Sequence, residues 1–255
     1  MNYAILLSGG VGTRIRSEIP KQYIKVNGRM MVTTALRTLL CAPQIDRVCI
    51  TADPAWQQAI LEDLHAASAD DPEGSAAVGK PIFFAMPGAN RQLSIWNGLQ
   101  QILREQEVVR EMAKSVHSTF DAVDTVFIHD AARPYLTQDL IDACYAALPG
   151  HDGVLPVIPM KDTVYESADG HKIDRLLDRS RIFAGHAPEL FLMNPYVAAN
   201  EALLPDRILA INGSTEPAIL AGMDVVLIPG DEKNSKVTTN ADLEKYRDYL
   251  QRKGE

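Results

Sequence analysis

The chain opens with a short apolar run followed at once by a glycine-rich loop, Tyr3-Ala4-Ile5-Leu6-Leu7-Ser8-Gly9-Gly10-Val11-Gly12-Thr13-Arg14. The apolar residues predict a buried first strand. Glycines let the backbone turn sharply and approach a ligand without an obstructing Cβ, and loop amides aimed at one point bind anionic oxygens. Arg14 and Lys21 add positive charge beside this loop. The stretch therefore predicts a site for the phosphates of a nucleotide.

Two common phosphate-binding loops do not fit this stretch. A P-loop ends in Gly-Lys-Ser/Thr, a triplet that the sequence lacks. The dinucleotide fingerprint Gly-x-Gly-x-x-Gly would need a glycine where Ile15 stands. The segment alone leaves one alternative open, a glycine turn flanked by two solvated basic residues.

Composition narrows the class of protein. The chain has 255 residues, of which 46% are hydrophobic and 23% charged, as in ordinary globular proteins. No apolar run is long enough to cross a bilayer, and the N-terminus lacks a signal-peptide pattern, so we expect a cytoplasmic protein without a membrane partner. The net charge of −8 argues against a nucleic-acid polymer as partner. Cys41, Cys49 and Cys144 are widely spaced in apolar contexts, which indicates reduced core thiols.

Apolar runs alternate with amphipathic stretches along nearly the whole chain. The predicted strands are residues 3–7, 48–51, 82–86, 125–129, 153–158 and 225–228, and the predicted helices are residues 32–40, 54–67, 91–112, 139–148, 195–204 and 241–251. This order predicts a single α/β domain over residues 1–255, a Rossmann-like, mostly parallel twisted sheet with helices on both faces. Ligands of such sheets bind beyond the carboxyl ends of the strands. The loops after three predicted strands should therefore meet at one site.

One segment breaks this alternation. Residues 163–177 read as a β-hairpin with its turn at Ala168-Asp169-Gly170. An isolated hairpin is only marginally stable in water. We therefore expect a protruding arm that packs against something else, for which a second subunit is the natural candidate.

Three further segments carry candidate chemistry. Asp130 follows a predicted strand in His129-Asp130-Ala131-Ala132-Arg133-Pro134, where its carboxylate is suited to Mg²⁺ beside phosphates, although pairing with Arg133 is the simpler role. Asn90 can cap the long helix that starts in Gly88-Ala89-Asn90-Arg91-Gln92-Leu93-Ser94. The start of this helix could bind the base or the ribose of a nucleotide. The alternative is a helix start without a binding role. Lys236 could reach a phosphate or remain a solvated lysine. The sequence offers no convincing Ser-His-Asp set and no zinc-like histidine spacing.

Together, these motifs resemble the cytidylyltransferases that load CMP onto polyol phosphates, whose acceptors are 2-C-methyl-D-erythritol 4-phosphate and ribitol 5-phosphate. The resemblance runs from Tyr3 to about Leu250 and rests on motifs that occur in the family's order. These are Gly-Gly-x-Gly-x-Arg with Pro-Lys-Gln, Gly-x-x-Arg-x-x-Ser, His-Asp-Ala-Ala-Arg-Pro, Asp162-Thr163, Asp178-Arg179 and Asn234-x-Lys236-Val237-Thr238.

The resemblance implies a role for each matching residue. It implies that CTP is the co-substrate, bound through its phosphates and its cytosine and ribose by Ser8, Gly9, Gly10, Gly12, Thr13, Gly88, Arg91 and Ser94. It implies that Arg14, Lys21 and Lys236 stabilise charge during catalysis, and that Asp130 holds Mg²⁺. It implies that the acceptor phosphate is bound by Arg133, Thr163, Arg179 and Lys236. It also implies a homodimer in which the hairpin of one subunit reaches the site of the other.

The acceptor side departs from the family pattern. The family commonly has Thr-Pro-Gln where this chain has Ala187-Pro188-Glu189, which removes a hydroxyl and adds a carboxylate. Ser214 or Thr215 is a candidate for the missing hydroxyl. The form Gly12-Thr13-Arg14 leans toward the ribitol-type enzymes, so the polyol and its pathway, isoprenoid precursors or a wall or capsule polymer, stay open.

Two other functions fit the sequence less well. One is a nucleotidyltransferase for another sugar phosphate, since the glycine loop also resembles that wider group. The other is a non-catalytic nucleotide-binding protein. Mere binding would not need Arg14, Lys21, Asp130 and Lys236 together, which favours the enzyme.

Overall fold

The structure is a computed structural model that describes residues 1–10, 17, 19–69, 79–113 and 123–253. In these ranges the strands are β1 (Asn2–Leu7), β2 (Lys25–Val26), β3 (Arg29–Met30), β4 (Arg47–Thr51), β5 (Ile82–Ala85), β6 (Thr125–Asp130), β7 (Gly153–Pro159), β8 (Val164–Glu166), β9 (Arg175–Leu177), β10 (Phe183–Gly185), β11 (Glu189–Leu192) and β12 (Val225–Pro229). The helices are α1 (Met31–Cys41), α2 (Pro54–Ala69), α3 (Arg91–Ala113), α4 (Gln138–Ala147), α5 (Met193–Glu201), α6 (Glu216–Leu220) and α7 (Asn240–Lys253). Each predicted strand and helix has a counterpart.

Eight of these strands form one twisted sheet in the order β10-β7-β11-β6-β1-β4-β5, with β12 paired to β7. The pairs β5–β4, β4–β1, β1–β6 and β7–β12 are parallel. Strand β11 runs antiparallel between β6 and β7, and β10 runs antiparallel to β7. The predicted mostly parallel α/β sheet is confirmed, and the sequence missed its antiparallel insertion.

Helices cover both faces of the sheet because successive strand residues point to opposite sides. Ala4 and Leu6 pack in one apolar cluster with α1, α2 and α4. Tyr3 and Ile5 pack in a second cluster with α3 and α5. A smaller third cluster joins α7 to β2 and the start of α1. Strand β1 is thus buried on both faces, as its apolar run predicts.

The hairpin expected over residues 163–177 is present as β8 and β9, which pair antiparallel from Val164 with Leu177 to Glu166 with Arg175. Gly170 lies in its turn with a φ of +71°. The role of this hairpin in dimerisation stays a prediction. Strands β8 and β9 form a two-stranded sheet separate from the large one.

The cysteines differ in part from the expectation. Cys49 and Cys144 are buried and free, but Cys41 is exposed at the end of α1, so it is not a core thiol. Burial raises the pKa of the Cys144 thiol to about 12, which keeps it protonated. No described helix has the length and apolar character needed to cross a membrane.

Candidate active site

A cavity of about 420 Å³ lies where the loops after β1, β5 and β6 meet, at the carboxyl ends of these parallel strands. Its lining from the described part of the chain includes the predicted site residues Gly9, Gly10, Lys21, Gly88, Arg91, Ser94, Asp130 and Lys236. These residues come from widely separated parts of the sequence. The fold therefore brings the three predicted loops and the Lys236 segment to one place.

The first loop is held by residues whose role the sequence did not reveal. The Gln22 amide donates to the carbonyl oxygens of Ser8, at 2.7 Å, and Gly10, at 2.8 Å. The Tyr23 hydroxyl donates to the Ser8 oxygen at 2.7 Å, and its ring stacks on Trp56. Free carbonyl oxygens would repel an anionic ligand, and here donors satisfy them. The Pro-Lys-Gln motif was the available signal for Gln22.

Two glycines allow this loop and the start of α3 to come close. A Cβ on Gly9 would lie 2.2 Å from the Cβ of Pro87. A Cβ on Gly88 would lie 2.3 Å from the Cβ of Leu93 and 2.7 Å from the amide nitrogen of Ser94. No larger residue fits either position without moving backbone.

The start of α3 is built as the sequence predicts. The Asn90 side chain accepts a hydrogen bond from the Leu93 amide at 2.7 Å, so Asn90 caps this helix. The Gly88 amide donates to the Ser94 hydroxyl at 2.9 Å, and that hydroxyl donates to the Asn90 carbonyl oxygen at 2.9 Å. These bonds fix the part of the cavity wall that follows β5.

Asp130 ends β6 and is the electrostatic centre of the cavity. Its Oδ2 lies 2.9 Å from Lys236 Nζ and 3.6 Å from Arg133 Nε, and its Oδ1 lies 3.3 Å from Arg91 Nη2. Burial alone would raise the pKa of Asp130, but Arg91, Lys236 and Arg133 more than offset it and hold this pKa well below its ordinary value. The carboxylate therefore stays ionised, and the cations gather around it.

In the sequence, Glu189 stands out only as a departure from the family pattern. It is buried at the start of β11, and its Oε2 lies 3.5 Å from Arg91 Nη2. Burial would lower the pKa of Arg91, but Asp130 and then Glu189 raise it. The guanidinium of Arg91 thus lies between two carboxylates.

Other predicted residues lie beside the cavity or away from it. Ser8 is buried at the end of β1, and its hydroxyl has no hydrogen-bond partner within the described residues. Arg133 contacts the carboxylate of Asp130. Gly12, Thr13 and Arg14 lie outside the described residues.

The predicted acceptor residues are not all together. Thr163 and Arg179 are exposed at the base of the hairpin, where Arg179 donates to the Lys161 carbonyl oxygen at 2.7 Å. Ser214 is buried, and its carbonyl oxygen accepts a bond from the Tyr196 hydroxyl at 2.7 Å. Thr215 directly precedes α6. None of these four residues is among the described residues that line the cavity, and their roles stay predictions.

The fold and the cavity define an α/β protein with a cavity at the carboxyl edge of its sheet that is lined by glycines and by basic side chains around one carboxylate. The chain belongs to the IspD family, described as 2-C-methyl-D-erythritol 4-phosphate cytidylyltransferase, whose sequence model matches residues 3–252. This membership confirms the resemblance.

Individual relatives agree with the family assignment. The chain is 27% identical to the 2-C-methyl-D-erythritol 4-phosphate cytidylyltransferase of Tolumonas auensis, with 94% of this chain and 92% of that protein covered. It is 32% identical to the bifunctional enzyme IspD/IspF of Paramagnetospirillum magneticum over 98% of this chain and 57% of that protein. The chain thus spans little more than half of the bifunctional relatives.

A solved structure supports the fold. The 4-diphosphocytidyl-2C-methyl-D-erythritol synthase of Anaerococcus prevotii superposes with a TM-score of 0.74 over 98% of both chains, at 20% identity.

Proposed function

We propose that this chain transfers CMP from CTP to 2-C-methyl-D-erythritol 4-phosphate and releases pyrophosphate. The observation that supports this most strongly is the convergence of Lys21, Arg91, Asp130 and Lys236 on one cavity in a member of the IspD family. The names of the family and of its relatives favour methylerythritol phosphate over ribitol phosphate. Isoprenoid precursor synthesis is the corresponding pathway.

The reaction needs little from the protein beyond positioning and charge. An oxygen of the acceptor phosphate attacks the α-phosphorus of CTP, the bond from that phosphorus to the bridging oxygen breaks, and pyrophosphate leaves with the electron pair. Phosphoryl-group transfers of this kind rely on placement and electrostatic stabilisation. The acceptor phosphate is already ionised near neutral pH, so no side chain has to act as a base.

The charges that line the cavity support this proposal. In our proposal Lys21, Lys236 and Arg14 stabilise the charge that develops around the α-phosphorus. Arg91, Ser94 and Gly88 hold the cytosine and ribose, and the glycine loop, including Ser8, Gly9, Gly10, Gly12 and Thr13, holds the phosphates. Without substrates, the basic side chains pair with the Asp130 carboxylate. When the substrates bind, their phosphates would replace Asp130 as the partner of these side chains.

Asp130 is also the residue that would hold Mg²⁺. It is ionised and lines the cavity. Within the described residues no three His, Cys, Asp or Glu side chains cluster as a metal site. A single carboxylate nevertheless suits Mg²⁺, because this ion commonly takes one or two carboxylates together with substrate phosphates and waters. When bound, the ion would neutralise phosphate charge.

The acceptor site is proposed to form across a homodimer. Lys236 lines the cavity of one chain and Arg133 contacts Asp130 beside it, whereas Thr163 and Arg179 lie at the exposed hairpin. Residues so placed can complete the acceptor site of a second copy. Ser214 and Thr215 remain candidates for the hydroxyl that Ala187 lacks.

Pyrophosphate release tests the proposed function directly. The purified chain is incubated with CTP and Mg²⁺ and with either methylerythritol 4-phosphate or ribitol 5-phosphate. We expect release with the first acceptor only. Release with ribitol 5-phosphate alone would reassign the acceptor. Release only with another nucleotide or a sugar 1-phosphate would reassign the reaction, and CTP binding without release would make the chain a nucleotide-binding protein.

A further inference from the structure

We infer that His186 is a positioning residue for Arg133 and thereby sets the affinity of the site for the acceptor phosphate. This inference rests on the proposed function, in which Arg133 binds that phosphate. His186 lies between β10 and β11, in the antiparallel insertion that the sequence did not predict. Its imidazole contacts the Arg133 guanidinium.

The contact between the two side chains fixes the state of the histidine. Arg133 Nη1 lies 2.9 Å from His186 Nε2. A guanidinium can only donate hydrogen bonds, so Nε2 must be the acceptor and the imidazole must be neutral, with its proton on Nδ1. That Nδ1 is buried and has no hydrogen-bond partner among the described residues. The contact to Arg133 is thus the one that orients the ring.

Arg133 is held by more than its partner carboxylate. Its Nη1 also donates to the Asn234 carbonyl oxygen at 2.8 Å, and its Nε lies 3.6 Å from Asp130 Oδ2. Asn234 in turn donates from its side chain to the Ala187 carbonyl oxygen at 2.8 Å. The segment after His186 and the segment that carries Lys236 are therefore tied together around Arg133.

This arrangement matters when substrates bind. Asp130 also contacts Lys236 and Arg91. In the proposed function it would hold Mg²⁺, and its contact to Arg133 would then be weakened. Within the described part of the chain, Arg133 then keeps two neutral acceptors, His186 Nε2 and the Asn234 carbonyl oxygen. A planar guanidinium recognises a phosphate well only when its donor fork is held in one orientation. His186 supplies one of the two bonds that hold it.

The charges around His186 agree with a neutral imidazole. Burial lowers the pKa of His186, and the Arg133 guanidinium lowers it further, whereas Asp231 and Asp130 oppose this decrease. The positive guanidinium is in direct contact, and neither carboxylate is among the groups hydrogen-bonded to the ring. A neutral ring that accepts a bond neutralises none of the positive charge that Arg133 offers to a phosphate.

Two substitutions separate the hydrogen bond from the space that the ring fills. His186→Leu removes the acceptor, and His186→Gln places a carbonyl oxygen that can accept from Arg133. For the leucine variant we expect the KM for methylerythritol 4-phosphate to rise about tenfold, as for loss of a hydrogen bond to a charged group. The KM for CTP should change little. The glutamine variant should recover most of the acceptor affinity.

His151 provides the matched control. It is also a partly buried histidine with a side-chain partner, but that partner is Asp224, at 2.8 Å, and the residue precedes β7. His151→Leu should leave both KM values unchanged. A purely structural role of His186 would instead raise both KM values together, or would not be relieved by glutamine.

The outcomes distinguish this inference from the proposed function. If the wild-type chain releases no pyrophosphate with either acceptor, the proposed function fails and the inference falls with it. If the wild type is active and His186→Leu keeps the wild-type acceptor KM, only the inference is overturned. Nitrogen NMR of the wild type adds a test that needs no variant to fold, because a proton found on Nε2 of His186 at neutral pH would also overturn it.

Discussion

The cavity and the hairpin are held in place in opposite ways. The cavity side chains are fixed by contacts across the whole sequence, such as Lys236 with Asp130 at 2.9 Å. The hairpin is fixed by its own short-range bonds, such as the Ala168 amide to Asp174 at 2.6 Å, while Leu176 is 63% exposed. Among the described residues, the cavity is held by contacts between distant segments of one chain. The hairpin leaves apolar and polar side chains exposed, which in the proposed homodimer would contact a second copy.

In the proposed function, this difference assigns each region to one half of the reaction. The nucleotide half would use the charges clustered around Asp130. The acceptor half would use Thr163 and Arg179, which are exposed in one chain. Variants of the two regions should therefore behave differently when they are mixed.

The largest effect is expected in the cavity. Lys21→Ala should lower kcat about 10²–10³-fold, because in the proposed function it removes a cation that stabilises the charge developing on the α-phosphorus. Stopped pyrophosphate assays measure the loss, and thermal unfolding shows whether the fold is retained. Lys245→Ala, on the exposed side of α7, is the control. Turnover of Lys21→Ala within a few-fold of wild type would remove Lys21 from the mechanism.

The next effect tests the hairpin. Arg179→Ala should lower kcat/KM for the acceptor about 10–100-fold, as for loss of a hydrogen bond between charged groups. If the hairpin serves the partner's site, Lys21→Ala and Arg179→Ala chains complement each other, since a mixed dimer has one intact site. Mixing equal amounts after dissociation should then restore about a quarter of the wild-type activity. The absence of any recovery in demonstrably mixed dimers would place Arg179 outside the partner's site.

A smaller effect is expected where the cavity wall is formed by backbone. Gly88→Ala should raise the KM for CTP about tenfold. The added Cβ would lie 2.3 Å from the Cβ of Leu93 and 2.7 Å from the Ser94 nitrogen, so the backbone of the loop would have to move. This movement would remove a contact to the nucleotide. Gly79→Ala is the control, since no atom of the described residues lies within 4 Å of its Cβ position. An unchanged KM for CTP in Gly88→Ala would separate this loop from nucleotide binding.

The sequence predicted the cavity better than the acceptor side, for a physical reason. Short apolar runs predicted β1, β4, β5 and β6, and the loops after parallel strands must meet at one edge of the sheet. The segment with β10 and β11 contains Gly185 and Pro188, so it does not read as a strand. His186 and Glu189 lie in that segment, and their partners Arg133 and Arg91 are distant in the sequence. Only the folded chain shows these pairs.

The smallest effect concerns the segment that carries Lys236. Asp242 in α7 accepts bonds from the amides of Thr238, at 3.0 Å, and Thr239, at 2.9 Å, and from both hydroxyls. Asp242→Ala should lower the free energy of unfolding by about 1 kcal/mol, as for loss of a helix cap. Turnover should be nearly kept, because the Val237 amide still donates to the Ala132 carbonyl oxygen.

The pH dependence of that loss sharpens the test. Burial would raise the pKa of Asp242, but the bonds from Thr238 and Thr239 lower it from 3.8 to about 2. A carboxyl whose pKa is lower in the folded state stabilises the fold above its unfolded pKa, and this contribution disappears as the pH falls through the folded value. Urea unfolding should therefore show the difference between wild type and Asp242→Ala shrinking as the pH falls from about 4 toward 2. Asp248→Ala, an exposed aspartate of the same helix, is the control. A difference that stays constant over this range would mean that α7 is held by the apolar contacts of Leu243 and Tyr246. The Asp242 carboxylate would then not stabilise the segment that carries Lys236.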